Sequence, residues 1–208
     1  MFKRNQVEEA IAIVLEGATE PSDELRTRIK RLLDTDRALG RNKRSADPEV
    51  ASYAFYSVEA PGRGSENWFS DYEAFALLTG LRLMRHGWPQ GFAVAALRRV
   101  KSDLALHHGR ILQQDPAVLF DQKLISQQAK PGDLVFTNAD PVFLAILPSD
   151  RDDRSYPNRA VVCRGQTQLV PLFREQDAWT AFELVNSAHA LSDALEKTAP
   201  RKRGRASE

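Results

Sequence analysis

Apolar residues recurring at three- and four-residue spacing predict two amphipathic helices at the start of the chain. The first covers residues 5–16, and the glycine that follows tolerates the left-handed conformation that closes helices. The second begins after Ser22, a favourable N-cap, has two acidic residues in its first turn, and ends at Gly40. The polar, basic segment 41–48 that comes next is predicted to be a loop.

The strongest local signal is a capping box formed by Ser70 and Glu73. In such a box the serine hydroxyl accepts a hydrogen bond from the amide three residues on, and the glutamate accepts one from the serine amide. Apolar residues behind the box predict a helix that ends at Gly87. Trp88-Pro89 then interrupts the chain, and a further helix follows with a bend near Ser102.

The segment that joins the basic loop to this helical hairpin fits two types of secondary structure. Residues 50–58 are rich in aromatic and small side chains, and their periodicity fits a short helix or a strand. Residues 61–65, Pro-Gly-Arg-Gly-Ser, predict a turn. Nearby aromatic residues, Trp68-Phe69, Trp88 and Phe92, are expected to pack the hairpin core, with an exposed binding patch as the alternative.

From residue 130 onward, short apolar runs bounded by Pro, Gly, Asn and Asp predict strands. The predicted strands cover 134–136, 142–147, 160–163 and 179–185, and the predicted helices cover 166–175, interrupted by Pro171, and 187–197. We therefore expect an α+β fold. It divides into a mainly helical N-terminal region, 1–128, a small α+β module, 129–198, and a disordered basic tail, 199–208.

Composition places the chain among soluble globular proteins, with 208 residues, 42% apolar and 27% charged. No apolar run approaches the roughly 18 to 20 residues that cross a bilayer. The N-terminus turns acidic before any apolar stretch, unlike a signal peptide, so we expect a cytoplasmic protein without a membrane partner. The single cysteine, Cys163, excludes an intrachain disulfide and a multi-cysteine zinc site.

No group of residues predicts an enzyme, a cofactor site or a metal site. The chain lacks a phosphate-binding Gly-x-x-x-x-Gly-Lys sequence. His107 and His108 are adjacent, so on a helix they diverge by about 100° and are expected to be surface residues rather than shared metal ligands. Cys163 lies in an apolar run and is expected to be a buried, inert thiol.

Charge is balanced overall, with a net +1, but basic residues concentrate between 82 and 110. On adjacent helices they could form a face that binds phosphates, where each neutralised contact releases counterions. The residues that this distribution nominates as DNA contacts are Lys43, Arg44, Arg63, Arg82, Arg85, Arg98, Arg99 and Lys101. The alternative is that they cover ordinary solvated helix faces.

The residues around the capping box follow a wider pattern, given by Phe69-Ser70, Glu73, Leu77, Leu81, Gly87-Trp88-Pro89 and Val94, with Pro61 and Arg63 upstream and Tyr53 to Tyr56 before them. Over about residues 50–100 this pattern resembles the MerR-type winged-helix DNA-binding domain. The resemblance implies a wing that ends at Phe69 and a helix-turn-helix that begins near Leu32. Asn67 stands where that family has a wing arginine, and residues 40–53 predict no clear recognition helix.

The sequence therefore predicts a DNA-binding transcriptional regulator that contains a winged-helix-like unit. Its C-terminal module would serve homodimer formation or sensing, and no cofactor is expected. The alternative function is that of a protein–protein interaction adaptor that does not bind nucleic acid.

Overall fold

The computed structural model describes residues 1–59, 67–116, 123, 127, 141–148, 158–174 and 179–200. These residues form an α+β fold with a mainly helical N-terminal region, which confirms the predicted fold class. The helices are α1 (Arg4–Glu16), α2 (Asp23–Leu39), α3 (Pro48–Ala51), α4 (Asp71–Arg85), α5 (Gln90–Arg99), α6 (Lys101–Ile111), α7 (Gly165–Phe173) and α8 (Val185–Lys197). The strands are β1 (Phe2–Lys3), β2 (Trp68–Phe69), β3 (Val142–Pro148), β4 (Asn158–Arg164) and β5 (Thr180–Glu183).

The predicted helix ends are confirmed in the N-terminal region. Gly17 closes α1 with a left-handed φ of 66°. The Ser22 hydroxyl caps α2 by accepting a hydrogen bond from the Leu25 amide at 3.1 Å. At the start of α4, the capping box is complete in both directions between Ser70 and Glu73.

The break between the two helices of the hairpin lies where it was predicted, but the bend in the second helix lies two residues earlier than predicted. Gly87, with a φ of 91°, and Pro89 separate α4 from α5, as expected. The expected bend near Ser102 lies instead at Val100, which ends α5 and begins α6 with a φ of −93° and a ψ of 8°. In the ambiguous segment, α3 ends at Ala51 and the following residues, 52–59, are irregular.

Two antiparallel sheets complete the described fold. β1 pairs with β2, so the N-terminus lies beside the exposed Trp68 and the buried Phe69. In the second sheet the strand order is β4–β3–β5, with Val142 opposite Arg164 and Phe143 opposite Glu183. β5 is shorter than predicted because the Glu183 carboxylate accepts hydrogen bonds from the Val185 and Asn186 amides, which starts α8 early.

One buried cluster contains residues from the helical region and from the C-terminal elements. Ile11 of α1 and Leu195 of α8 both belong to it, as does Leu144 of β3. Gln6 adds a polar link by donating from Nε2 to the Thr198 carbonyl at 3.0 Å. The described residues thus share a core across the predicted division near residue 128, which itself lies outside them.

The opposite face of the larger sheet is covered by α7. Cys163 and Ala145 pack there against Leu169. The predicted helix is present, but Pro171 lies inside it and does not interrupt it as predicted. Cys163 is only 2% exposed, which confirms its predicted burial, and desolvation raises the pKa of its thiol.

Some predicted features lie outside the described residues: the turn at 61–65, the strand at 134–136 and the tail beyond residue 200. Within the described parts of the chain, no helix combines the length and the apolar character needed to span a membrane.

Candidate functional site

The centre of the candidate site is a buried carboxylate on α2. Asp36 continues the apolar stripe of that helix after Leu32 and Leu33, and its side chain is fully buried. Its two carboxylate oxygens accept hydrogen bonds from the amides of Ala54 and Phe55, each at 3.0 Å. A side chain on α2 therefore fixes the backbone of the irregular segment that follows α3.

Arg98 of α5 completes this centre. Its Nε donates to Asp36 Oδ1 at 2.7 Å, and its Nη1 donates to the carbonyls of Gly40 and Glu49 at 2.9 and 3.1 Å. The guanidinium also lies 5.5 Å from the centroid of the Tyr53 ring. One arginine thus joins the end of α2, α3 and the segment after it.

Two further charged groups hold the same segment from other helices. Lys101 of α6 donates from Nζ to the carbonyls of Tyr53 and Tyr56, at 2.7 and 2.6 Å. Glu73 of α4 accepts from the Ser57 amide at 2.5 Å, in addition to its role in the capping box. Burial lowers the pKa of Lys101, and the nearby carboxylates of Asp36 and Glu73 oppose that shift.

We name the segment of residues 39–59 the platform. It carries three exposed apolar side chains, with exposed fractions of 60% for Leu39, 43% for Val50 and 72% for Val58. Each of them is adjacent in sequence to a residue that a hydrogen bond holds in place. The carbonyls of Gly40 and Glu49 accept hydrogen bonds from Arg98, and Glu59 pairs with Arg41. Apolar side chains on a fixed backbone are suited to binding another surface, because little order is lost on association.

The platform also carries charges of both signs. Glu59 pairs with Arg41 at 2.8 Å and with Lys43 at 3.4 Å, and the hydrogen bond from Arg41 lowers the pKa of Glu59. Arg41 also lies over the Tyr53 ring, 5.2 Å from its centroid. Arg44 and Asp47 are exposed on the same loop.

Several residues of the predicted basic face on α4, α5 and α6 bind other groups of the protein. Arg98 is wrong as a DNA contact, because it is 3% exposed and committed to Asp36 and to backbone carbonyls. Lys101, partly buried, donates to two carbonyls, and Arg99 pairs with Glu49 at 2.7 Å.

Two other nominated arginines on α4 bind backbone carbonyls away from the platform. Arg82 is partly buried and donates to the Glu183 carbonyl at 2.9 Å, and burial lowers its pKa. Arg85 donates to the Leu15 carbonyl at 2.8 Å. Lys43 and Arg44 are exposed on the platform, and Arg63 lies outside the described residues.

The adjacent histidines differ from the prediction in one respect. His108 is buried rather than on the surface, because its ring stacks on Phe75 with centroids 4.7 Å apart. Desolvation lowers its pKa to about 4, an effect opposed by Asp71 and reinforced by His189. Of the aromatic residues, Phe69 and Phe92 are buried as expected, whereas Trp68 is 44% exposed.

The resemblance to a winged helix can be compared with the geometry only in part. Between α2 and Tyr53 the chain forms one helix, α3, of four residues. The wing that the resemblance implies falls largely in residues 60–66, outside the described part. The MerR-type assignment therefore stays a prediction.

Comparison with known proteins gives no assignment: no family model matches the chain, and no curated protein matches its sequence.

One signal in the sequence could have revealed the site. Asp36 continues the helical spacing of the core positions on α2, since it lies three residues after Leu33 and four after Leu32. An acid at a core position of an amphipathic helix requires a partner. The identity of that partner, Arg98, depends on tertiary contacts that the spacing does not contain.

Proposed function

We propose that the protein is a protein–protein interaction module that binds its partner through the platform. The observation that carries the proposal is the exposure of Leu39, Val50 and Val58 on a backbone held by buried charged groups. Interfaces between proteins combine an apolar centre with a polar rim, and preorganised backbones bind with a smaller loss of entropy.

The charges of the platform favour a protein partner over a phosphate backbone. Lys43 and Arg41 share Glu59, and Arg44 lies on the same loop as Asp47. A nucleic-acid surface needs an excess of positive charge, whereas a protein partner can match both signs. The chemistry that fits is an apolar protein patch flanked by acidic and basic side chains, and a second copy of this chain meets that description.

Site-specific photocrosslinking in the native cells tests this proposal. A photoreactive amino acid replaces Val50 in one variant, and Leu106, which is 54% exposed on α6, in a matched control. We expect a discrete protein adduct, with another protein or with a second copy, from position 50 and not from position 106. Equal labelling at both positions, or no protein adduct at position 50, would overturn the proposal.

A second candidate is the DNA-binding regulator that the sequence predicts. Two nominated residues, Lys43 and Arg44, are exposed, which supports this candidate. It requires binding to random duplex DNA that weakens steeply with salt and that is reduced in the Lys43→Ala/Arg44→Ala variant. An affinity unchanged in that variant would remove the support that these residues give.

A further inference from the structure

A separate cleft of about 280 Å³ lies where α6 ends beside β3 and β4. Its lining includes His107, Arg110 and Gln114 from the end of α6 and beyond, and Arg164 from the end of β4. Arg164 is the register partner of Val142, which contributes an apolar wall. The cleft is remote in sequence from the platform and does not share a residue with it.

Two of the residues that line this cleft each carry a buried polar atom that has no hydrogen-bond partner among the described residues. These atoms are Nδ1 of His107 and Oε1 of Gln114. Buried polar atoms in proteins are ordinarily paired, so each such atom calls for a ligand or a role. With the ring proton on Nδ1, a ligand that pairs both atoms offers an acceptor to that N–H of His107 and a donor to the amide oxygen of Gln114.

The charges around His107 favour a ligand of negative charge. Burial lowers the pKa of His107, Arg110 and Arg164 lower it further, and Asp103, one turn earlier on α6, opposes them. Among the described residues, the charged groups that act on His107 are therefore two guanidinium groups and one carboxylate. The C-terminal end of α6 carries partial negative charge, and the arginines outweigh it because each bears a full positive charge.

We propose that this cleft binds hydrogen phosphate. Its oxygens would accept hydrogen bonds from Arg110, Arg164 and His107, and its P–O–H group would donate to Gln114 Oε1. Sulfate has the same shape and similar charge but no proton to donate at neutral pH. The cleft should therefore prefer inorganic phosphate to sulfate.

Titration of the full chain with sodium phosphate and, separately, sodium sulfate tests this proposal, with binding followed by the NMR signals of the His107 ring. We expect saturable phosphate binding, an increase in the pKa of His107 on binding, and sulfate affinity at least about tenfold weaker. Methyl phosphate distinguishes the free ion from an esterified group, because its dianion also lacks the P–O–H proton: binding as weak as that of sulfate is expected.

Variants distinguish phosphate binding in the cleft from a general attraction of phosphate to positive charge on the protein. Arg110→Ala and Arg164→Ala should each weaken phosphate binding by about tenfold or more. Arg159→Ala, at the other end of β4 and exposed, is the matched control and should bind as the wild type does. Gln114→Leu should lower phosphate affinity to that of sulfate.

Three results would overturn the proposal. They are no saturable phosphate binding, equal phosphate and sulfate affinity in the wild type, and equal weakening in the Arg110→Ala and Arg159→Ala variants. Circular dichroism on each variant confirms that it is folded. If Arg164→Ala does not fold, Arg110→Ala alone decides, because Arg110 is exposed and its removal leaves the sheet intact.

Discussion

Asp36 Oδ1 lies 2.7 Å from Arg98 Nε, and the two side chains are 0% and 3% exposed. The pair joins α2 to α5 across the base of the platform, and its remaining hydrogen bonds within the described part of the chain go to backbone groups of residues 36–55. A buried pair satisfied in this way fixes one arrangement of the chain around it. Arg98 therefore has a structural role.

Replacing the arginine of this pair should destabilise the protein strongly. In Arg98→Met the carboxylate of Asp36 stays buried without its counter-charge, and several carbonyls lose their donors. We expect the free energy of unfolding to fall by about 3–5 kcal/mol. Urea denaturation followed by circular dichroism measures this change.

The matched control is Arg44→Met, because Arg44 is exposed on the platform. A change within about 0.5 kcal/mol is expected there. Similar losses in the two variants would contradict the structural role assigned to Arg98.

Gly80 marks a close approach of α4 to its neighbours. A Cβ atom at this position would lie 3.2 Å from Leu97 Cδ1 and 3.3 Å from Phe55 Cζ, and both of these side chains are fully buried. Overpacking of this kind costs about 1–3 kcal/mol, which exceeds the gain of about 0.5–1 kcal/mol in helix propensity. Gly80→Ala should therefore lower the free energy of unfolding.

Gly109→Ala provides the comparison in another helix. A Cβ atom there meets nothing within 4 Å, so only the propensity gain of about 0.5–1 kcal/mol remains. Thermal or urea unfolding should rank Gly109→Ala above the wild type and Gly80→Ala below it. The reverse order would show that the crowding at Gly80 is relieved without cost.

Acid should weaken the fold through His108. Its pKa is about 4 in the folded protein, against 6.5 for the free side chain, so the unfolded chain binds the proton more readily. The stability that the neutral ring contributes is complete above pH 6.5, declines as the pH falls toward 4, and is absent below that. The decline should amount to about 3 kcal/mol.

Urea unfolding at a series of pH values checks this contribution. The slope between pH 6.5 and 4 should flatten in His108→Leu and persist in His86→Gln, because His86 is exposed. An unchanged slope in His108→Leu would assign the acid sensitivity to other groups.

The helices and most strands were predictable because their signals are local. The Ser22 cap, the box at Ser70 and Glu73, and the left-handed glycine at position 17 act within one turn of the chain. The site was not predictable from the same patterns. Arg98 and Lys101 have the charge of a nucleic-acid contact, and only the folded arrangement brings them to Asp36 and to the carbonyls of Tyr53 and Tyr56.

The exact position of the helix break at Val100 was likewise not predictable from the local sequence pattern. Helical spacing continues from α5 into α6, so the sequence predicts one bent helix with its bend two residues later. The carbonyl of Lys101, just beyond the break, accepts a hydrogen bond from the Tyr72 hydroxyl of α4 at 3.2 Å. A hydrogen bond from Tyr72, which is distant in sequence, thus accompanies a helix break whose position the local helical spacing does not predict.

The measurement that tests the central claim most directly is fluorescence anisotropy with a labelled random duplex at about 50 and 200 mM salt. If the basic residues of α4, α5 and α6 serve the fold and the platform binds protein, little or no binding is expected at either concentration. Tight binding at the lower salt concentration that weakens about a thousandfold at the higher one would indicate roughly six phosphate contacts and would contradict this account.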